Sequence, residues 1–276
     1  MTGARPLGAA AALALLASCA RVPPPGLPEG AEELRAAVEA HQARVLRVSG
    51  SARLQVESPS LHGTLDALVA AERPDRLRIE VLDFFGAPAA VLVAAGGRFG
   101  FLDLRAGTWT GGEATPANVS QLLPVALPAE ELVAVLCGSA PLIAGRAIAA
   151  RPGDGVMRLW IEGGGLVQRL DVGAEAAVEA SRVTRRRPDG AVERAGYDLD
   201  FSLFRHHAGL RVPGEIRLDA SRGDARVDLT WRDDLVVNGP AAEGLFALVP
   251  PPGARVVELA PGAELPRPEL PIRPSR

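Results

Sequence analysis

The sequence predicts a mainly β, α+β fold: an open, incomplete antiparallel β-barrel of about ten strands with a helical lid or plug. Three observations carry this expectation. Apolar and polar residues alternate through most of the chain, as in strands with one dry and one wet face. Turn signals separate the alternating runs: Gly96-Gly97, Gly163-Gly164-Gly165, Pro188-Asp189-Gly190 and Arg222-Gly223-Asp224. The few helical stretches cannot cover so many dry strand faces, so the sheet must curl onto itself. Periodicity leaves open whether the concave side is a filled core or an apolar cavity.

Residues 1–18 read as an export signal. Arg5 supplies a positive start, and the apolar stretch 7–17 is too short to span a bilayer. Residues 19–30 hold Pro23, Pro24, Pro25 and Pro28, which predicts a stiff extended tether. Residues 31–46 predict a helix: Leu34, Val38 and Val45 recur at helical spacing, and Glu32 and Glu33 suit the first turn. From Arg47 the period becomes two. Leu77, Ile79 and Val81 share one face, as do Met157, Leu159 and Ile161. So do Tyr197, Leu199, Phe201 and Leu203; Ile216 and Leu218; and Val227, Leu229 and Trp231. One helical insertion interrupts the strands. A short helix starts at Thr115-Pro116, with Val119, Leu122 and Leu123 on one side. A second opens at Pro128, carries Leu132, Val135 and Leu136, and stops at Gly138. The folded body is assigned to residues 31–249 and a Pro-rich tail to 250–276.

Composition excludes several functions. The 276 residues carry a net charge of −3, which calls for no nucleic-acid partner. All 30 basic residues are Arg; with abundant Ala, Gly and Pro this reflects coding bias more than function. Aromatics at 4% are too few for a base-stacking surface, and two Cys exclude a disulfide scaffold or a four-Cys zinc site. No nucleophile elbow, phosphate loop or zinc-binding His-Glu motif occurs. His206 and His207 are adjacent, so on a strand they point to opposite faces and cannot share a metal. Cys137 lies near an apolar helical stripe and reads as a buried, inert thiol. The expectation is a non-enzymatic protein with no cofactor and no metal. Arg185, Arg186 and Arg187 precede a turn and read either as a solvated hairpin tip or as a contact for anionic lipid headgroups.

The run Leu16-Ala17-Ser18-Cys19 resembles the lipobox of bacterial lipoproteins. That resemblance implies cleavage before Cys19 and acylation of Cys19. Ala20 in place of Asp favours the outer membrane. Three further segments resemble the LolB-like outer-membrane lipoprotein receptors. The first runs from Asp75 through Leu82-Asp83-Phe84-Phe85-Gly86-Ala87-Pro88. The second comprises Asn118 to Leu123, Leu127-Pro128-Ala129-Glu130-Glu131-Leu132 and Leu136-Cys137-Gly138-Ser139-Ala140-Pro141. The third is Val212-Pro213-Gly214-Glu215-Ile216-Arg217-Leu218 with the strand through Trp231. The resemblance covers roughly Glu33 to Val237. It implies a lipid-anchored protein on the periplasmic face of the outer membrane that accepts acyl chains of client lipoproteins, from a LolA-like periplasmic carrier, and inserts them into that membrane. The alternative is an envelope lipoprotein of the same fold that binds another amphiphile or an assembly partner. The Phe pair departs from the family pattern, which has a Leu before the Gly.

The candidate site follows. Leu77, Ile79, Val81, Val91, Val93, Phe99, Phe101, Leu122, Leu132, Leu136, Leu199, Phe201 and Trp231 are the expected cavity and lid residues. Phe84, Phe85 and Gly86 are the expected membrane-insertion loop. A turn should be polar, and neighbouring side chains diverge, so at least one of the two rings should be exposed; the other reading folds both onto the core. The resemblance assigns Phe85 the protruding position.

Overall fold

A computed structural model describes residues 22–59, 61–119, 121, 127–220, 225–247, 249–260 and 271. Cys19, Leu122 and Leu123 lie outside the described residues. Helix α1 (Ala31–Ala43) buries Leu34 and Val38. Six strands follow in hairpin succession: β1 (Arg47–Glu57), β2 (His62–Glu72), β3 (Arg76–Leu82), β4 (Pro88–Ala95), β5 (Arg98–Asp103) and β6 (Thr108–Glu113). The helical insertion is α2 (Pro116–Val119) and α3 (Ala129–Leu136). Beyond it come β7 (Arg146–Pro152), β8 (Met157–Gly163), β9 (Leu166–Val172), β10 (Val178–Arg186) and β11 (Val192–Ser202). A small ribbon of β12 (Arg205–His207) and β13 (Leu210–Val212) precedes β14 (Glu215–Ala220), β15 (Ala225–Trp231), β16 (Val236–Val237) and β17 (Arg255–Leu259).

Among the described residues fifteen strands form one sheet in the order β17-β6-β5-β4-β3-β2-β1-β15-β14-β11-β10-β9-β8-β7, with β16 beside β1. Among the described residues only the β17–β6 pair is parallel. The terminal strands β7 and β17 do not pair with each other, so the sheet curls without closing. The fold is the expected open, mainly β one, with more strands than the ten that alternation reveals. The inward faces of β1 and β15 meet in register, Ala52 against Trp231, Leu54 against Leu229 and Val56 against Val227, and this pair joins the two halves of the chain. Among the described residues no helix is long and apolar enough to cross a membrane.

Three local readings change. Leu203 leaves the strand face: the strand ends at Ser202, and Leu203 is exposed in a left-handed conformation. The segment expected to be an extended tether turns at Pro25 and Gly26, and Leu27 packs on the core. Its first described residue, Val22, accepts a hydrogen bond from the Gly155 amide at 3.3 Å, in the turn between β7 and β8. Finally, Arg255–Leu259, inside the Pro-rich region, pair with β6. The chain from β16 to β17 thereby crosses the outer face of the sheet. Arg47 and Arg78 donate to the carbonyls of Gly239 and Leu245 along the way.

Candidate functional site

The concave side holds an apolar cavity of about 110 Å³. Its walls come from seven adjoining strands: Leu54 and Val56 on β1, Leu65 and Val69 on β2, Leu77, Ile79 and Val81 on β3, Ala90 and Leu92 on β4, Phe101 on β5, Ile216 and Leu218 on β14, and Val227 and Leu229 on β15. Leu61 closes one side, and Leu132, Val135 and Leu136 of α3 form the roof. Register explains why these residues converge. Ile79 lies opposite Val69 and Leu92, and Leu92 opposite Phe101, so one row of side chains runs inward across four strands. All these residues are apolar. Leu54, Leu61, Leu136 and Val227 are only half-buried, which places the mouth near the Ser58–Leu61 turn, the neighbouring ends of β14 and β15, and the free face of α3.

The roof helix is fixed at both ends. Near its start, the Tyr197 hydroxyl on β11 donates to the Glu131 carboxylate at 2.6 Å. Burial first, and this acceptor second, push the Tyr197 phenol well above its ordinary pKa. Past its end, Gly138 adopts φ +73°, and a Cβ there would meet the Pro213 ring at 2.5 Å, so a glycine stop is required twice over. Arg73 then donates to the Ser139 hydroxyl at 2.6 Å, and Gln42 to the Ala140 carbonyl at 3.2 Å. Cys137 is buried beside this exit, and burial pushes its thiol up to about 11.

Of the expected cavity residues, Leu77, Ile79, Val81, Phe101, Leu132 and Leu136 line the cavity. Phe99, Leu199, Phe201 and Trp231 are on the inward face but pack into the solid core outside it. Val91 and Val93 are corrected. They are buried at 5% and 3% exposure on the opposite, outward face of β4, the face crossed by the segment that takes the Arg78 hydrogen bond. Leu54, Val56, Leu65 and Val69 line the cavity without having been expected there, although Leu54-Gln55-Val56-Glu57 alternates as clearly as β3 does.

The aromatic turn between β3 and β4 projects both rings into solvent, with Phe84 76% and Phe85 88% exposed and their centroids 5.5 Å apart, edge to face. The backbone beneath is held by Asp83, whose Oδ1 accepts from the amides of Phe85 and Ala87 at 2.8 and 2.9 Å. The Asp83 and Ala87 backbones close the base at 2.8 Å, and Gly86 supplies φ +82°. The exposure is therefore a property of a built turn. The reading in which both rings fold onto the core is excluded. Among the described residues no group of three or more His, Cys, Asp or Glu is placed to hold a metal ion.

No protein-family model and no curated protein matches the chain. Solved structures do. A domain described as an outer membrane lipoprotein-sorting protein from Vibrio parahaemolyticus superposes with a TM-score of 0.54 at 10% identity, covering 79% of this chain and 97% of that one. A DUF1329 family protein from Desulfovibrio piger gives 0.52 at 10% identity, covering 79% and 98%. A LolA superfamily protein from Nitrosomonas europaea gives 0.50 at 9% identity, covering 78% and 97%. At such identities the likeness is one of architecture: the chain has a LolA-like fold.

Proposed function

We propose that this protein is a lipid-anchored acceptor of acyl chains at the outer membrane, which holds them in the concave cavity and passes them to the bilayer past Phe84 and Phe85. The observation that carries this reading is the cavity, walled among the described residues by apolar side chains alone and roofed by a helix. An acyl chain gains about 0.8 kcal/mol per CH₂ removed from water. Such a site has a reason to bind a lipid tail, and its described lining offers no polar side chain to bind much else. The aromatic turn supplies an exit step: exposed rings beside the mouth can enter the interfacial layer, where apolar side chains are stabilised. Transfer toward the membrane then needs only a free-energy difference between the two sites.

The test is displacement of a fluorescent fatty acid from the purified full chain. Binding that is lost in Leu132→Glu, a charge placed in the roof, supports the reading. No binding by the wild-type chain refutes it. A vesicle-transfer assay of Phe85→Glu addresses the exit: the variant should still bind the probe yet deliver it more slowly, and wild-type delivery would remove the turn from the mechanism. In the native host, normal sorting of other lipoproteins after depletion would turn the reading toward another amphiphile.

A further inference from the structure

The β10–β11 hairpin contributes no wall to the cavity, and its tip lies beyond Tyr197, the residue of β11 that holds the roof. β11 pairs with β14 only from Tyr197 to Ser202. Val192 to Gly196 therefore continue past the end of β14, about 17 Å of ribbon at about 3.3 Å per residue. The tip is well formed: the Arg187 amide donates to the Ala191 carbonyl at 2.8 Å, the Gly190 amide to the Arg187 carbonyl at 2.9 Å, and the Ala191 amide to the Asp189 carboxylate at 3.0 Å. Arg185, Arg186 and Arg187 are all exposed there. Val192 lies opposite Arg186 and is 63% exposed.

Charge at this tip is unbalanced. Four Arg and two acids fall between residues 185 and 194, a net charge of +2. Arg187 is shared between Asp189 and Glu193, and Arg194 is held by Asp198. Arg185 and Arg186 have no ion pair among the described residues. The direction of the tip follows from topology. β3, β2, β1, β15, β14, β11 and β10 are successive neighbours, each pair antiparallel. The turn after β10 thus leaves the sheet from the same end as the turn after β3, which carries Phe84 and Phe85. Leu104, in the turn after β5, is exposed at that end too.

We infer that the β10–β11 tip is a second, electrostatic membrane contact that selects bilayer surfaces bearing anionic lipid, through Arg185 and Arg186, which flank the tip on its two faces, with Val192 on the face of Arg186. The inference rests on the reading that the Phe84–Phe85 end meets a membrane. The two contacts have separate roles. The aromatic turn enters any bilayer, and the basic arm supplies the preference for negative charge. A basic side chain at such a surface contributes about 1 kcal/mol, or about fivefold in affinity, and the effect is screened over about 10 Å at moderate salt.

The experiment is co-sedimentation of the unlipidated full chain, Cys19→Ser, with phosphatidylcholine vesicles and with vesicles that also contain phosphatidylglycerol. The wild-type arm should bind the anionic vesicles more tightly, and added salt should erase the difference. Arg185→Gln with Arg186→Gln should reduce that preference by about 25-fold while binding to phosphatidylcholine alone stays unchanged. Arg185→Lys with Arg186→Lys should retain it. Phe85→Glu should weaken binding to both vesicle types and leave their ratio intact. A double Gln variant with the wild-type ratio overturns the inference, whatever Phe85→Glu does. A normal response of the arm with no effect of Phe85→Glu would instead count against the aromatic turn alone.

Discussion

Filling the cavity should make the protein more stable and less able to bind lipid. Ala90 is the residue to change: it lines the cavity from β4, opposite Val81, and is 3% exposed. A void of this kind costs about 24 cal/mol per Å³. Because this cavity has a mouth, the corresponding figure for its 110 Å³, about 2.6 kcal/mol, is an upper bound on what filling it could return. Ala90→Leu adds three carbons, worth about 2.4 kcal/mol if all of them enter space now empty. In a chain of this length about 1 kcal/mol moves the melting temperature by about 2–4 °C. The variant should therefore melt up to about 5–10 °C higher, and its affinity for a fluorescent fatty acid should fall at least tenfold. If the site were already packed, the same change would cost about 1–3 kcal/mol through overpacking. A lower melting temperature with undiminished fatty-acid binding would refute the reasoning, because the acyl site would then have to lie elsewhere.

Tyr197→Phe removes the hydrogen bond to Glu131 and should destabilise the protein by about 1–2 kcal/mol, with faster uptake of the fatty acid as the start of α3 loosens; equal uptake would show that the roof does not open there. Because the folded-state phenol is raised, the neutral form is favoured by folding. That stability is intact below about pH 10, the unfolded-state value, and declines as pH rises further, which an alkaline melting series of wild type against Tyr197→Phe would read as a shrinking difference. Cys137, raised to about 11 by burial, should resist a thiol reagent at neutral pH in the Cys19→Ser chain and react fully on unfolding; prompt native-state labelling would contradict its buried place. Cys19→Ser should abolish incorporation of a fatty-acid probe in cells, and unchanged labelling would remove the anchor.

Strands are legible in the sequence where one face is wet. Leu77, Ile79 and Val81 alternate with charged residues because the outward side chains of β3, Arg78 and Glu80, pair with each other at 2.6 Å at the sheet surface. β4 offers no such contrast. Its run Pro88–Ala95 is apolar on both faces, since one face meets the cavity and the other lies beneath the chain returning to β17. A period-two reading cannot sort Val91 from Leu92 in that setting, and two outward valines then pass for cavity walls. Phe84 and Phe85 are readable for the opposite reason: adjacent aromatics at a turn violate a rule that solvent normally enforces. The path of β17 is not readable, because a parallel partner 147 positions away, Thr108 to Arg255, leaves no local mark in either segment.

The fastening of Val22 to Gly155 has a consequence for which way up the molecule rests. The turn between β7 and β8 lies at the opposite end of the sheet from the aromatic turn. Val22 is three residue steps from Cys19, at most about 10 Å of chain. With the acyl group proposed for Cys19 buried in a bilayer, the fastened leader would park the Gly155 end against the lipid and hold Phe85 aloft, across a sheet whose β1 alone runs about 36 Å. The far end of the same leader lies beside the aromatic side of the sheet, where Glu32 accepts from the Ala147 amide at 2.9 Å. Unfastened, eleven residues give about 35 Å of slack, enough for the body to capsize onto its rings. Among the described residues, what holds the leader in the parked arrangement is a main-chain hydrogen bond of 3.3 Å and the packing of Leu27 on the core.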